Sequence, residues 1–189
     1  MNASRSEQIV VVGLGYVGLP LAVALARSFS VVGLDIDERR VEELKLGIDR
    51  TREVESEKLA ASPLRLTSRS ADAAGADIYI VTVPTPVDGD NSPDLRPVIS
   101  ATRSVATLLD PERKPIIVYE STVYPGVTED ICGPLIEEVS GLQRGRGFFL
   151  GYSPERINPG DREHTVDRIV KVVAGENEAV TERLCAIYG

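Results

Sequence analysis

The run Gln8-Ile9-Val10-Val11-Val12 passes directly into Gly13-Leu14-Gly15-Tyr16-Val17-Gly18, and no other stretch restricts this chain so much. A short β-branched run that is apolar on both faces reads as a central parallel strand. The glycines close that strand and open an apolar helix, expected over 17–28. A second apolar run, Val31 to Leu34, ends in Asp35, twenty residues after Gly15. Glycine triplets alone are common, but strand, turn, helix and spaced acid together make a dinucleotide-binding fingerprint. The glycines allow the tight turn, bring the backbone close to a pyrophosphate and let the helix pack on the strand. Amides at the helix N-terminus then face the anion. Gly13, Gly15, Tyr16, Val17, Gly18 and Asp35 are thus candidate cofactor-binding residues. Asp35 can accept from an adenosine ribose and would repel a 2′-phosphate, which favours NAD over NADP. Arg39 and Arg40 pull the other way, since either can reach a phosphate. The competing reading is a βα turn with packing glycines and no ligand.

The same stretch is a decoy for a membrane span, because residues 9–26 carry no charge. Arg5 is offset by Glu7, so no basic leader precedes it, and three glycines and Pro20 divide the run into strand, turn and helix. At 42% hydrophobic and 26% charged, the 189 residues suit one globular domain rather than a disordered chain. The net charge is −8 with scattered basic residues, which excludes the Lys/Arg stripe that nucleic acid requires. Cys132 and Cys185 lie far apart without metal-ligand spacing. A reduced, cytoplasmic setting is the simplest reading, with both cysteines as packing residues inside helices.

Strand and helix patterns alternate to the end of the chain. Helices are expected over 37–47 with Gly47 as the stop, over 93–109 with Ser92 as cap and Pro93 first, and over 127–139 with a kink at Pro134. A polar connection precedes a strand at 64–67 and a short Ala-rich helix. Further strands are expected at 77–83, 115–119, 147–152 and 168–175, and a last helix from 178. This is an α/β domain, a Rossmann-type doubly wound, mainly parallel sheet with helices on both faces. Such sheets take ligands at the carboxyl ends of their strands, near the switch in strand order.

Three more strand ends fall there. "TVPTPVD" (82–88) sets Thr82 and Thr85 between prolines, beside Val83 and Pro84. Each threonine reads equally as a cofactor contact or as part of a rigid turn. "ESTVYPG" (120–126) brings Ser121 and Thr122 to the nicotinamide end if its strand crosses to the second half of the sheet. "GYSPERINPGD" (151–161) presents Glu155 in the same way. A hydroxyl and a carboxylate in one crevice can hold a water and exchange a proton with it. On spacing alone Glu155 reads first as an exposed acid paired with Arg156 or Arg162. His164, the single histidine, has no partners at ligand spacing, so no metal is expected.

The ordered set "GLGYVGLP", "VVGLDID", "TVPTPVD", "ESTVYPG" and "GYSPERINPGD" resembles the NAD-binding domain of the UDP-glucose/GDP-mannose dehydrogenase family. The last two motifs are most similar to the UDP-N-acetylhexosamine 6-dehydrogenases of bacterial surface-polysaccharide synthesis. The resemblance implies NAD as cofactor and a two-step oxidation of a UDP-sugar C6 hydroxyl to a carboxylate through a cysteine thioester. Thr122 matches the threonine that helps hold the catalytic water, and Glu155 matches a base for the hydrolysis. Arg40 matches a basic residue near the adenosine. Pro159 stands where the UDP-glucose enzymes carry a second acid, which argues against UDP-glucose as substrate. The resemblance further implies that 1–189 is the N-terminal half of a longer, homodimeric enzyme, without its central helix and UDP-sugar domain, and inactive alone. A UDP-glucose or GDP-mannose dehydrogenase, a hydroxyacid-type dehydrogenase and a non-catalytic NAD-binding module are the competing functions.

Overall fold

The computed structural model describes residues 7–87, 89, 93–154 and 171–189. The first strand β1 (Gln8–Val12) leads through the glycine turn into helix α1 (Gly18–Leu25), then β2 (Ser30–Leu34) and α2 (Glu38–Lys45). Next come α3 (Ser56–Ala61), β3 (Arg65–Thr67), a 3₁₀ turn at Ser70–Ala73 and β4 (Ile78–Val81). Helix α4 (Arg96–Ala106) leads to β5 (Ile116–Tyr119), a π-helical turn (Val127–Cys132) and α5 (Gly133–Ser140). The chain closes with β6 (Phe149–Tyr152), β7 (Ala174–Gly175) and α6 (Glu178–Tyr188).

Among the described residues the strands form one sheet in the order β3-β2-β1-β4-β5-β6-β7. All pairings are parallel except β6 with β7. The order reverses between β1 and β4, and that is where the strand ends open a crevice. Residues 9–26 are thus β1, turn and α1, and among the described residues no helix is long and apolar enough to cross a membrane.

Alternate side chains leave each strand on opposite faces. Ile9, Val11, Ile78, Ile80, Ile116 and Val118 meet Leu19, Leu184 and Ile187 on the α1/α6 side. Val10, Val12, Tyr79, Val81, Ile117 and Tyr119 meet Val98, Val105 and Ile136 on the α4/α5 side. Two covered faces explain why these strands are apolar at every position instead of every other one.

Several sequence expectations are corrected. Helix α4 starts at Arg96, not Pro93, and Pro97 takes the proline-tolerant first turn. Pro93 pairs with Val87 in an isolated bridge, and the Asp94 carboxylate accepts from the Arg96 N–H just before the helix; Ser92 lies outside the described residues. The helix also stops at Ala106 rather than Leu109. In place of the expected kink at Pro134 there is a π-helical turn that ends at Cys132, and Pro134 falls in the first turn of α5, which follows it directly. The polar connection contains α3, whose single buried residue, Leu59, gives no periodicity to detect. The Ala-rich helix is only a 3₁₀ turn, and α1 ends at Leu25 with 3₁₀-type bonds beyond it. Of the strand expected at 168–175, residues 168–170 lie outside the described set, and the described part is strand only at Ala174–Gly175. Cys132 is buried as expected, but Cys185, expected to be a packing residue, is exposed.

Candidate functional site: a cleft at the sheet's switch point

A cleft of about 510 Å³ runs across the carboxyl ends of β1, β2, β4 and β5. Its floor is the glycine turn. Gly13 adopts φ +95°, a conformation that side chains oppose, and its N–H continues the sheet by donating to the Leu34 carbonyl at 2.8 Å. A Cβ on Gly18 would stand 1.9 Å from the Gly13 carbonyl oxygen and 2.3 Å from Thr82 Oγ1. Only a bare backbone lets α1 sit this close to the strand end. At Gly15 the opposite holds, since a Cβ there would meet nothing within 4 Å. The turn is an open backbone cradle at the N-terminus of α1, the shape and polarity that suit a pyrophosphate.

Both polar groups of Leu14 are held by side chains from the β2–α2 region. Its N–H donates to Asp35 Oδ2 at 2.7 Å, and its carbonyl accepts from Arg40 Nε at 2.9 Å. The other Asp35 oxygen accepts from the Asp37 N–H at 2.9 Å. Each carboxylate oxygen can accept more than once, so Asp35, which lines the cleft, keeps capacity for a ribose hydroxyl. Arg40 is buried beneath the turn and does not line the cleft. Its Nη2 pairs with Asp49 at 2.7 Å, and its Nη1 is buried with no hydrogen-bond partner in the structure. Burial pushes the Asp49 carboxyl up, but bonds from Thr51, the Val54 N–H and Arg40 outweigh it and hold the group below the usual carboxylate range.

The far wall comes from the β4 and β5 ends, which are sewn together. Thr82 donates to the Gly13 carbonyl at 2.7 Å, Ser121 to the Val83 carbonyl at 2.7 Å, and Thr85 to the Thr122 carbonyl at 2.6 Å. Three of the hydroxyls singled out from sequence therefore spend their protons on loop carbonyls and shape the cleft. Thr122 is exposed and lines it, as do Val83, Pro84, Thr85 and Ser121. Gly13, Gly15, Tyr16, Val17 and Asp35 complete the set that the structure brings together. Gly18 and Arg40 stand behind it, while Glu155 and His164 lie outside the described residues.

Two features escaped the sequence reading. One wall is the face of α4 formed by Pro97, Ser100, Ala101 and Ser104. Their i, i+3, i+4, i+7 spacing was a readable signal of one helical face, although small residues do not announce a cleft. The other is Glu120, fully buried at the end of β5. It pairs with Lys171 and accepts from the Tyr188 hydroxyl at 2.9 Å. Nothing in the local sequence ties positions 120, 171 and 188 together.

The sheet order, the glycine cradle and the acid at the end of β2 define an α/β dinucleotide-binding domain, and its residues fit that cofactor. The chain belongs to the UDP-glucose/GDP-mannose dehydrogenase family and is its NAD-binding domain, matched over residues 7–189. It is 49% identical over 183 residues to the protein CapL of Staphylococcus aureus, covering 97% of this chain and 43% of that protein. It is 48% identical over 185 residues to the UDP-N-acetyl-D-glucosamine 6-dehydrogenase of Pseudomonas aeruginosa, again 97% and 43%. The solved UDP-D-ManNAc dehydrogenase of Pyrococcus horikoshii superposes with a TM-score of 0.84 at 32% identity, covering 96% of this chain and 44% of that one. The chain thus spans less than half the length of the relatives it matches.

Proposed function

We propose that this domain is the cofactor-binding half of a homodimeric UDP-N-acetylhexosamine 6-dehydrogenase that works in the cytoplasm on the route to a surface polysaccharide. The observation that carries the reading is the meeting, in one cleft, of the glycine turn and the Ser121-Thr122 strand end. The likeness to the Pseudomonas aeruginosa UDP-N-acetyl-D-glucosamine 6-dehydrogenase supports the substrate class. Pro159, in place of a second acid, is a reason to prefer an N-acetylhexosamine over glucose.

The overall change takes one primary alcohol, one water and two NAD⁺ to a carboxylate, two NADH and three protons. NAD bound at the switch point supplies the hydride acceptor. The Gly13–Gly18 turn and the first amides of α1 hold its pyrophosphate, and Asp35 accepts from the adenosine ribose. Arg40 acts from beneath by fixing the Leu14 carbonyl, so its part is to hold the turn in shape. Tyr16, Val17, Val83, Pro84 and Thr85 wall the cofactor, and Ser121 secures the loop beside its nicotinamide end. Thr122, exposed at that end, positions the hydrolytic water, and Glu155 removes its proton.

The test is to supply UDP-N-acetylglucosamine and excess NAD⁺ to the protein made from the complete reading frame and to count NADH per sugar. Two per sugar with an acid product is the expected result. One per sugar means simple alcohol oxidation and overturns the roles of Thr122 and Glu155 in hydrolysis.

A further inference from the structure

Strand β5 alternates its side chains between the two cores, Ile116 and Val118 toward α1/α6, Ile117 and Tyr119 toward α4/α5. The next position on the α1/α6 side is Glu120. Where the pattern asks for an aliphatic residue, the chain places a carboxylate with 0% side-chain exposure, against Lys171 with 5%. Tyr188, on the last turn of α6, donates to the same carboxylate. Burying two charges costs several kcal/mol of lost hydration, by order of magnitude, and a hydrophobic pair would hold the strand end as well. Tethering alone is therefore a poor account of this arrangement. Its location is more informative, because Glu120 lines the cleft immediately before Ser121 and Thr122.

We propose that the Glu120–Lys171 pair is an electrostatic element that sets the cleft's preference between oxidised and reduced cofactor, with Glu120 as the specificity-determining residue. The inference rests on the reading above, that NAD lies across the switch point with its nicotinamide at the β5 end. Between NAD⁺ and NADH the ring loses a full positive charge, while the rest of the ligand keeps its charge. A carboxylate beside the ring favours the oxidised form, and an ammonium favours the reduced one. Charges buried in a weakly polarisable interior are little screened by water or salt, so they act on the ring without touching it. Paired, Glu120 and Lys171 largely offset each other. Removing either one exposes the cofactor to the other.

The measurement is the ratio of dissociation constants, Kd(NAD⁺)/Kd(NADH), by calorimetric titration of the 189-residue chain at mildly alkaline pH. Glu120→Gln leaves the ammonium uncompensated and is expected to raise the ratio by about threefold or more. Lys171→Met is expected to lower it, and the double variant to return it to within about twofold of the original. A merely structural role weakens both forms in parallel in the single variants and leaves the ratio alone, which would overturn the proposal. Should the single variants not fold, Tyr188→Phe removes one donor from the carboxylate at a half-buried site. It is expected to lower the ratio by about twofold, and an unchanged ratio there also overturns the proposal. If the unaltered chain binds neither form, the cofactor reading itself falls and takes this proposal with it. Binding with an unshifted ratio removes the proposal alone.

Discussion

At Gly18 the space for a side chain is already taken by the Gly13 carbonyl and the Thr82 hydroxyl. Gly18→Ala must push α1 away from β1 or break the Thr82 bond, and a rigid core resists both. We expect a loss of about 2–4 kcal/mol in denaturant unfolding, and NAD affinity reduced by more than the loss of stability explains. Asp49 offers a contrasting test with a pH signature. Its carboxyl is held below the ordinary range in the folded chain, so its contribution is present above the unfolded value and lost as pH falls through the folded one. Asp49→Asn also leaves Arg40 buried without its anion. The variant should lose about 3 kcal/mol at neutral pH, and the gap should begin to narrow below roughly pH 4, the ordinary carboxylate value, and close only as pH falls through the lower folded one. A gap that stays constant through an acid titration would show that the charge of Asp49 is not what matters.

Among the elements, the join between α4, β5 and the π-helical turn depends on a buried polar chain. Thr102 donates to the Val98 carbonyl at 2.7 Å and so accepts from the Tyr119 hydroxyl at 2.8 Å. Burial pushes the Cys132 thiol beside them up, and the Tyr119 hydroxyl well up. A high thiol value and no exposure make Cys132 inert, whereas Cys185 on α6 is open to solvent. One equivalent of a thiol reagent should therefore label the native chain quickly, at Cys185, and the second only after unfolding. Rapid double labelling would mean that the π-helical turn opens readily. The elements themselves were largely legible in the sequence where apolar period and caps agreed, as for β1, β4, β5 and α2. The start of α4 was misplaced because two prolines, Pro93 and Pro97, each suit a first turn, and local chemistry does not choose between them. The π-helical turn is hidden in the sequence because it leads straight into α5 and the two read as one helix.

At the scale of the molecule, the switch point could be inferred from strand–helix alternation, and with it the glycine turn, Asp35 and Thr122. What could not be inferred is which side chains hold the site and which line it. Arg40 passes under the turn to Asp49, and Glu120 meets residues more than fifty positions away, so neither arrangement leaves a local trace. If the domain supplies cofactor binding and the remainder of a longer enzyme supplies the nucleophile, the chain alone has a definite behaviour. It should bind NAD⁺ and leave NADH absorbance flat when given UDP-N-acetylglucosamine, and any turnover by the 189 residues would refute that division of labour. The borders of the sheet bear on how such a piece behaves in isolation. One is β3, three residues long, entered from Pro63 and carrying Arg65; the other is β7, two residues long and reversed in direction. Among the described residues, a strand from a neighbouring molecule would find almost no free ladder to extend at either border, an arrangement that protects the domain against edge-to-edge fibre growth.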